Sequence, residues 1–362
     1  GGHNTATTDA SGIATSAAFT ANGTSGSYNV VASAGALSAQ FALTNVTGPA
    51  ASVTISSGSG QTATVGTAFT QPVVVVVKDT SGNPVSGATV TFTGPASGAG
   101  VTFPNGNTAV TNASGIATSP QLNANNTAGA YSITATSGQA SATAALTNVA
   151  GTPATLTPTA GTPQGATILS PFGSPLQVKL TDTFGNPING ATVTFNVPGA
   201  GPSAVFAAGV NTAKTDASGV ATSAVLSANQ TAGNYIAAAT IATPGVSASF
   251  NLTNQPGPAA LMTATGGSGQ STNINTPFGS PFQVVVTDAG GNLLRGVQVV
   301  FIAPSSGPSG TFSGSASVLT DSLGSATSPG FTANGTVGSY NVTANVQGLP
   351  AVNFALTNSN TS

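Results

Sequence analysis

Four tyrosines punctuate this chain, Tyr28, Tyr131, Tyr235 and Tyr340, and they stand 103, 104 and 105 residues apart. Each lies two positions after a glycine, at Gly26, Gly129, Gly233 and Gly338. The triplet Leu-Thr-Asn keeps the same period and ends at Asn45, Asn148, Asn254 and Asn358. A unit recurring every hundred or so residues marks an array of small domains. The first three triplets run into Gly48-Pro49-Ala50, Gly151-Thr152-Pro153-Ala154 and Gly257-Pro258-Ala259, which read as junctions. Complete repeats are therefore expected over 47–149, 150–255 and 256–362, with 1–46 matching only the C-terminal half of one.

A second recurring stretch says what kind of domain this is. The sequence DTSGNPVSGATVTF at 79–92 returns as DTFGNPINGATVTF at 182–195 and as DAGGNLLRGVQVVF at 288–301. Asp and Asn bond their own backbone, Gly takes positive φ and Pro fixes φ, so each copy is a turn between two strands. Within one repeat the apolar and β-branched runs suggest seven strands, near 51–56, 72–78, 88–93, 100–103, 115–122, 130–136 and 140–147. No window has helical periodicity, and Gly, Pro and β-branched residues oppose helix throughout. Seven short strands in about 100 residues predict an all-β chain of tandem Ig-like sandwiches. The core is expected in aromatic columns: Phe92, Phe195 and Phe301; Phe103, Phe206 and Phe312; Phe69, Phe172 and Phe278; and, on the last strand, Phe41, Phe250 and Phe354.

Composition removes most chemistries. Charged residues are 3% of the chain, against about 25% in ordinary soluble domains, and the net charge is -2. That balance offers no footprint for nucleic acid. There is no Cys, hence no disulfide and no thiolate ligand, and the one histidine, His3, supports no Ser-His-Asp arrangement. No apolar run approaches the roughly 18 residues of a membrane span, so no membrane insertion is expected. The opening Gly1-Gly2-His3 reads as a processed or excised piece. No cofactor and no enzymatic activity are expected.

The six acidic residues fill two repeat columns. Asp79, Asp182 and Asp288 precede the turn between the second and third strands; Asp9, Asp216 and Asp321 open a later turn, where the second copy has Asn112. Asp and Asn both serve as turn acceptors, so exchange between them is expected to be tolerated in both columns. Calcium at these turns or at the junctions is the alternative reading. The tyrosine column (Tyr28, Tyr131, Tyr235, Tyr340) matches a tyrosine corner, in which the ring fills the core edge and the hydroxyl bonds a nearby backbone group. Phe184 breaks the columns: it sits inside a turn where the other copies carry Ser81 and Gly290, and a contact role is expected for it.

The combined pattern D-x-x-G-N-P-V-x-G-A-x-V-x-F, then T-[DN]-x-x-G-x-A, then A-G-x-Y-x-[VI], resembles bacterial group 1 Ig-like domains, the repeats of invasin- and intimin-type surface proteins. The resemblance covers the whole chain. It implies an extracellular or cell-surface location and a rod of tandem sandwiches. The expected function is a non-catalytic structural segment, self-associating into a filament or longer array; the alternative is an adhesin segment that binds a glycan or protein through its loops. Residues 1–46 are expected to be ordered as three strands whose missing partners another segment or chain supplies.

Overall fold

The computed structural model describes residues 4–360, and His3 lies outside them. Two compact units divide the chain, one comprising 1–152 with 183–186, the other 153–182 with 187–362.

The first unit holds a hairpin and one full sandwich. The hairpin pairs β1 (Gly26–Ala34) with β2 (Leu37–Asn45). The sandwich follows with β3 (Ser52–Ser57), β4 (Gln61–Thr64), β5 (Val74–Lys78), β6 (Thr89–Thr93), β7 (Val101–Thr102), β8 (Thr108–Val110), β9 (Ile116–Thr118), β10 (Asn123–Ala124), β11 (Gly129–Ser137) and β12 (Ala140–Val149). One sheet has the order β3-β5-β9 and the other β4-β12-β11-β6-β8, while β7 and β10 form a separate ribbon. All pairings are antiparallel except β4 with β12. This is an Ig-like sandwich.

The period-2 alternation of the strands builds the core. Val75 and Val77 from one sheet meet Val90, Phe92, Ile133, Ala135, Ala144 and Leu146 from the other, all of them buried. Burying a Phe or Leu side chain contributes about 1.5–3 kcal/mol. Several such residues per repeat stabilise a domain of this size without a disulfide.

Ten strands replace the seven expected. The strand expected over 115–122 stops at Thr118, with β10 forming only beyond it, because Pro120 has no N–H to donate to a ladder; beside it Ser119 turns its hydroxyl to the Val73 N–H at 3.0 Å. Two edge strands, β4 and β8, carry no run of large apolar residues and left little periodic signal. β8 is placed by its pairing with β6, and β4 by a sheet crossing at Gly58, whose φ is +86° and whose missing Cβ would fall 2.2 Å from the Pro72 carbonyl oxygen. Past that point Gln61 fastens the corner, donating to the Gly58 carbonyl at 2.7 Å and the Gln71 carbonyl at 3.0 Å.

The second unit contains two sandwiches of the same topology. In one, Thr155–Ala160, Gln177–Thr181 and Val220–Thr222 face a sheet ordered Gln164–Thr167, Ser247–Gln255, Gly233–Thr240, Thr192–Asn196, Thr212–Lys214. The other repeats this with Ala259–Gly266, Gln283–Asp288 and Ser325–Thr327 against Gln270–Asn273, Val352–Ser359, Gly338–Asn345, Gln298–Ile302, Ser317–Leu319. Each repeat has its own core cluster. In the last, Phe282 is the hub, with ring centroids 5.0 Å from Phe354 and 5.3 Å from Phe331. The predicted aromatic columns are buried or half-buried in all three complete repeats.

The first 46 residues fall short of the three strands expected. β1 and β2 pair in the register of their counterparts, Tyr28 opposite Leu43 as Tyr131 is opposite Leu146. No strand forms over 13–20, because the strand that β9 pairs with in a complete repeat has no equivalent beside this segment. Phe19, Phe41 and Leu37 are consequently exposed, the last to 76%.

Candidate functional site

The chemistry of this chain concentrates where one repeat meets the next. Asp79 opens the turn after β5. Its Oδ1 accepts the N–H of Ser81 and of Asn83, each at 2.9 Å, and its Oδ2 accepts the N–H of Gly48, in the linker, at 3.1 Å. Gly82 takes φ +84° and closes the turn, which brings the Asn83 side chain back onto Asp79 at 3.0 Å. The same Asn83 amide donates to the carbonyl of Gly23 at 2.8 Å, and its oxygen accepts the Ser25 N–H at 3.3 Å. One turn thus holds its own strand, the preceding linker and a loop of the preceding repeat.

The device recurs. In the second unit, Asp288 accepts the N–H of Gly290, Asn292 and Gly257, each at 2.9 Å. Asn292 donates to the Gln230 carbonyl at 2.9 Å and accepts the Ala232 N–H at 2.8 Å. Within the first unit, Asn186 donates to the Asn126 carbonyl at 2.9 Å and accepts the Ala128 N–H at 2.8 Å. Asp79, Asp182 and Asp288 are all buried, at 7%, 2% and 2% exposure.

Electrostatics follow from the bonding. The Asn83 amide, helped by the N–H groups of Gly48, Asn83 and Ser81 and opposed by burial, holds the Asp79 carboxyl below its ordinary 3.8. Burial pushes Asp288 up, but the Asn292 amide and the N–H groups of Gly257, Asn292 and Gly290 outweigh it, and its carboxyl is also lowered. Every partner of these two carboxylates is an N–H donor, and among the described residues no group of three or more His, Cys, Asp or Glu could hold a metal.

Only one oxygen works in the other acidic column. Oδ1 of Asp216 accepts the N–H of Ser218 and Val220 at 2.8 and 3.0 Å, and Oδ1 of Asn112 does the same for Ser114 and Ile116. Asp9 and Asp321 form the same turn. Asp and Asn are equivalent here. They are not equivalent at Asp79 or Asp288, where both oxygens accept and an amide NH2 would face a donor. The expected tolerance is thereby confined to one column.

The tyrosine hydroxyl finds a side chain rather than the expected backbone group. Tyr131 donates to Asn148 Oδ1 at 3.0 Å, and Tyr340 to Asn358 Oδ1 at 3.0 Å. Asn148 is 1% exposed and its amide reaches the carbonyls of Gly100 and Thr127 and Oδ1 of Asn125. In the middle copy the Tyr235 hydroxyl and Asn254 Oδ1 have no partner. Burial pushes the phenols of Tyr131, Tyr235 and Tyr340 up to about 12. In the hairpin, Tyr28 is 38% exposed. Phe184 lies with its ring edge 3.8 Å from where a Cβ on Gly66 would be, within the first unit.

Sequence reading found the acidic columns but missed the two Asn columns that complete them. Asn83, Asn186 and Asn292 were visible as turn residues, and Asn148, Asn254 and Asn358 as period markers. Their second partners lie 58 to 62 and 21 to 51 residues away, beyond any local pattern.

No family model matches the sequence, and no curated protein matches it. Among solved structures the chain is similar to FdeC, an Escherichia coli adhesin, at 17% identity and TM-score 0.47, over 88% of this chain and 100% of that one. It is similar to InvD of Yersinia pseudotuberculosis at 19% identity and TM-score 0.45, over 86% of each chain. Invasin, a bacterial integrin-binding protein, aligns at 22% identity and TM-score 0.39, over 86% of this chain and 60% of that one. The Ig-like assignment rests on the sheet order and cores described above.

Proposed function

We propose that the chain is a non-catalytic structural segment of a bacterial surface protein, a rod of Ig-like sandwiches fixed to one another by the Asp–Asn turn. The observation that carries this reading is the recurrence of one bonding scheme, turn to linker and turn to preceding loop, at Asp79/Asn83 and Asp288/Asn292. A linker tied at its first glycine and a loop tied through two backbone groups leave little freedom between neighbours. The described residues contain no helix long and apolar enough to cross a membrane.

Head-to-tail association extends the same scheme. In the last repeat the groups corresponding to the Gln230 carbonyl and Ala232 amide are the Gly335 carbonyl and Val337 amide, and among the described residues neither has a hydrogen-bond partner. A further Asp-x-x-Gly-Asn turn fits there. With 3% charged residues, little like-charge repulsion opposes such contacts. The exposed face of β1–β2, with Phe41 at 56%, is a second surface that further strands would cover.

Electron micrographs of the purified chain over a range of concentrations test this proposal. Thin rods that lengthen end to end as concentration rises are expected; compact particles at every concentration would contradict it.

A further inference from the structure

The residue two positions after the turn aspartate differs in every copy, Ser81, Phe184 and Gly290, while the Asp and Asn around it do not change. It is also the turn residue aimed at the preceding repeat. A Cβ on Gly23 would meet Ser81 Oγ at 3.3 Å, and a Cβ on Gly66 would meet the Phe184 ring at 3.8 Å. A Cβ on Gly290 would itself fall 2.1 Å from the Gln230 carbonyl oxygen, a backbone atom that cannot give way without breaking the Asn292 bond to it.

The opposing surface varies in the reverse sense. Gly66 corresponds to Leu169 and Asn275, and all three take left-handed φ, +74°, +62° and +60°. The large Phe184 faces the repeat that has glycine at this position. The repeat that has Leu169, a strained choice for a left-handed residue and 63% exposed, is followed by a turn with glycine, Gly290, two positions after its aspartate. Around Leu169, Val205 and Gln230, the residue whose carbonyl Gly290 approaches, lies an open pocket of about 560 Å³.

From this we infer that the residue two after the turn aspartate is an address: Asn clasps any preceding repeat, and the size of this neighbour decides which repeat it accepts. The partner surface is the left-handed residue of the preceding domain, glycine for Phe184 and leucine for Gly290. The order of repeats is then specified by steric matching, on a clasp that the proposed function already assumes.

The test is amide hydrogen exchange at Ala128, whose N–H is bound by Asn186, in the full chain. Asn186→Ala should speed that exchange by threefold or more; if it does not, the clasp itself is wrong. With the clasp upheld, Gly66→Leu should also speed it by threefold or more, through collision with Phe184. Adding Phe184→Gly to Gly66→Leu recreates the leucine–glycine pairing and should bring exchange back to within threefold of the wild type. An unchanged rate in Gly66→Leu, or no recovery in the double variant, would overturn the address while leaving the clasp standing. Far-UV circular dichroism matching the wild type confirms that each variant is folded.

Discussion

Asn83 donates one amide to two residues, to Asp79 (Oδ2 at 3.0 Å) inside its own turn and to the carbonyl of Gly23 at 2.8 Å in the repeat before it. The intra-turn bond fixes the side chain that makes the inter-repeat bond. A residue that looks like turn chemistry in the sequence is therefore also the joint.

The first consequence concerns which carboxylates matter. Asp288→Asn should cost about 1–2 kcal/mol, since one of its two accepting oxygens becomes a donor facing an N–H. Asp216→Asn should change stability by less than about 0.5 kcal/mol, because Asn112 already makes the same turn. Equal denaturation midpoints for the two variants would refute the distinction.

The tyrosine–asparagine pair should show a graded series. Tyr131→Phe loses one part-buried hydrogen bond and should cost roughly 1 kcal/mol, while Asn148→Ala strands the Tyr131 hydroxyl and the buried Gly100 carbonyl and should cost roughly 2–3 kcal/mol. Tyr235→Phe should cost less than Tyr131→Phe, since the Tyr235 hydroxyl has no partner to lose. Chemical denaturation of the three variants checks the order.

Legibility from sequence followed the range of the interaction. The repeat, the sandwich and the aromatic columns were readable because each rests on contacts that recur within a strand or at a fixed period. Phe92 and Phe195 are fully buried for that reason. β4 and β8 were not, since QTAT and TAV have no distinctive composition and become strands only because β12 and β6 offer edges. The acceptor of the Tyr131 hydroxyl was unreadable too. It lies 17 residues on, at Asn148, and depends on the registered pairing of β11 with β12. At the site, the sequence distinguished Asp from Asn only by charge, whereas the fold distinguishes them by how many oxygens are used.

Stability should fall at both ends of the pH scale. The folded-state carboxyls of Asp79 and Asp288 lie below 3.8, so their contribution is complete above that value and is lost as pH drops through the lowered pKa. The phenols of Tyr131, Tyr235 and Tyr340 are raised from 10.0 to about 12, so stability is unaffected below pH 10 and declines as pH rises from 10 toward 12. Thermal melts across pH 2–12 should show a plateau flanked by these two losses. A maximum confined to neutral pH with steep flanks near 6–8 would be incompatible with this set of groups.

The exposed hairpin should behave differently from its buried counterparts. Amides of β1 and β2 pair in the same register as those of β11 and β12, yet only the latter are flanked by β6 and β4. Hydrogen exchange in β1–β2 should be faster by orders of magnitude. Comparable protection in the two hairpins of the isolated chain would show that something already covers Phe41 and Val31.

We propose that the Asp–Asn turn holds successive repeats to one another. Small-angle X-ray scattering of the wild type beside the triple variant Asn83→Ala, Asn186→Ala, Asn292→Ala tests it most directly. A pair-distance distribution with a sharp set of inter-domain features is expected in the wild type, smeared in the variant while each sandwich keeps its melting behaviour. Identical scattering curves would contradict it.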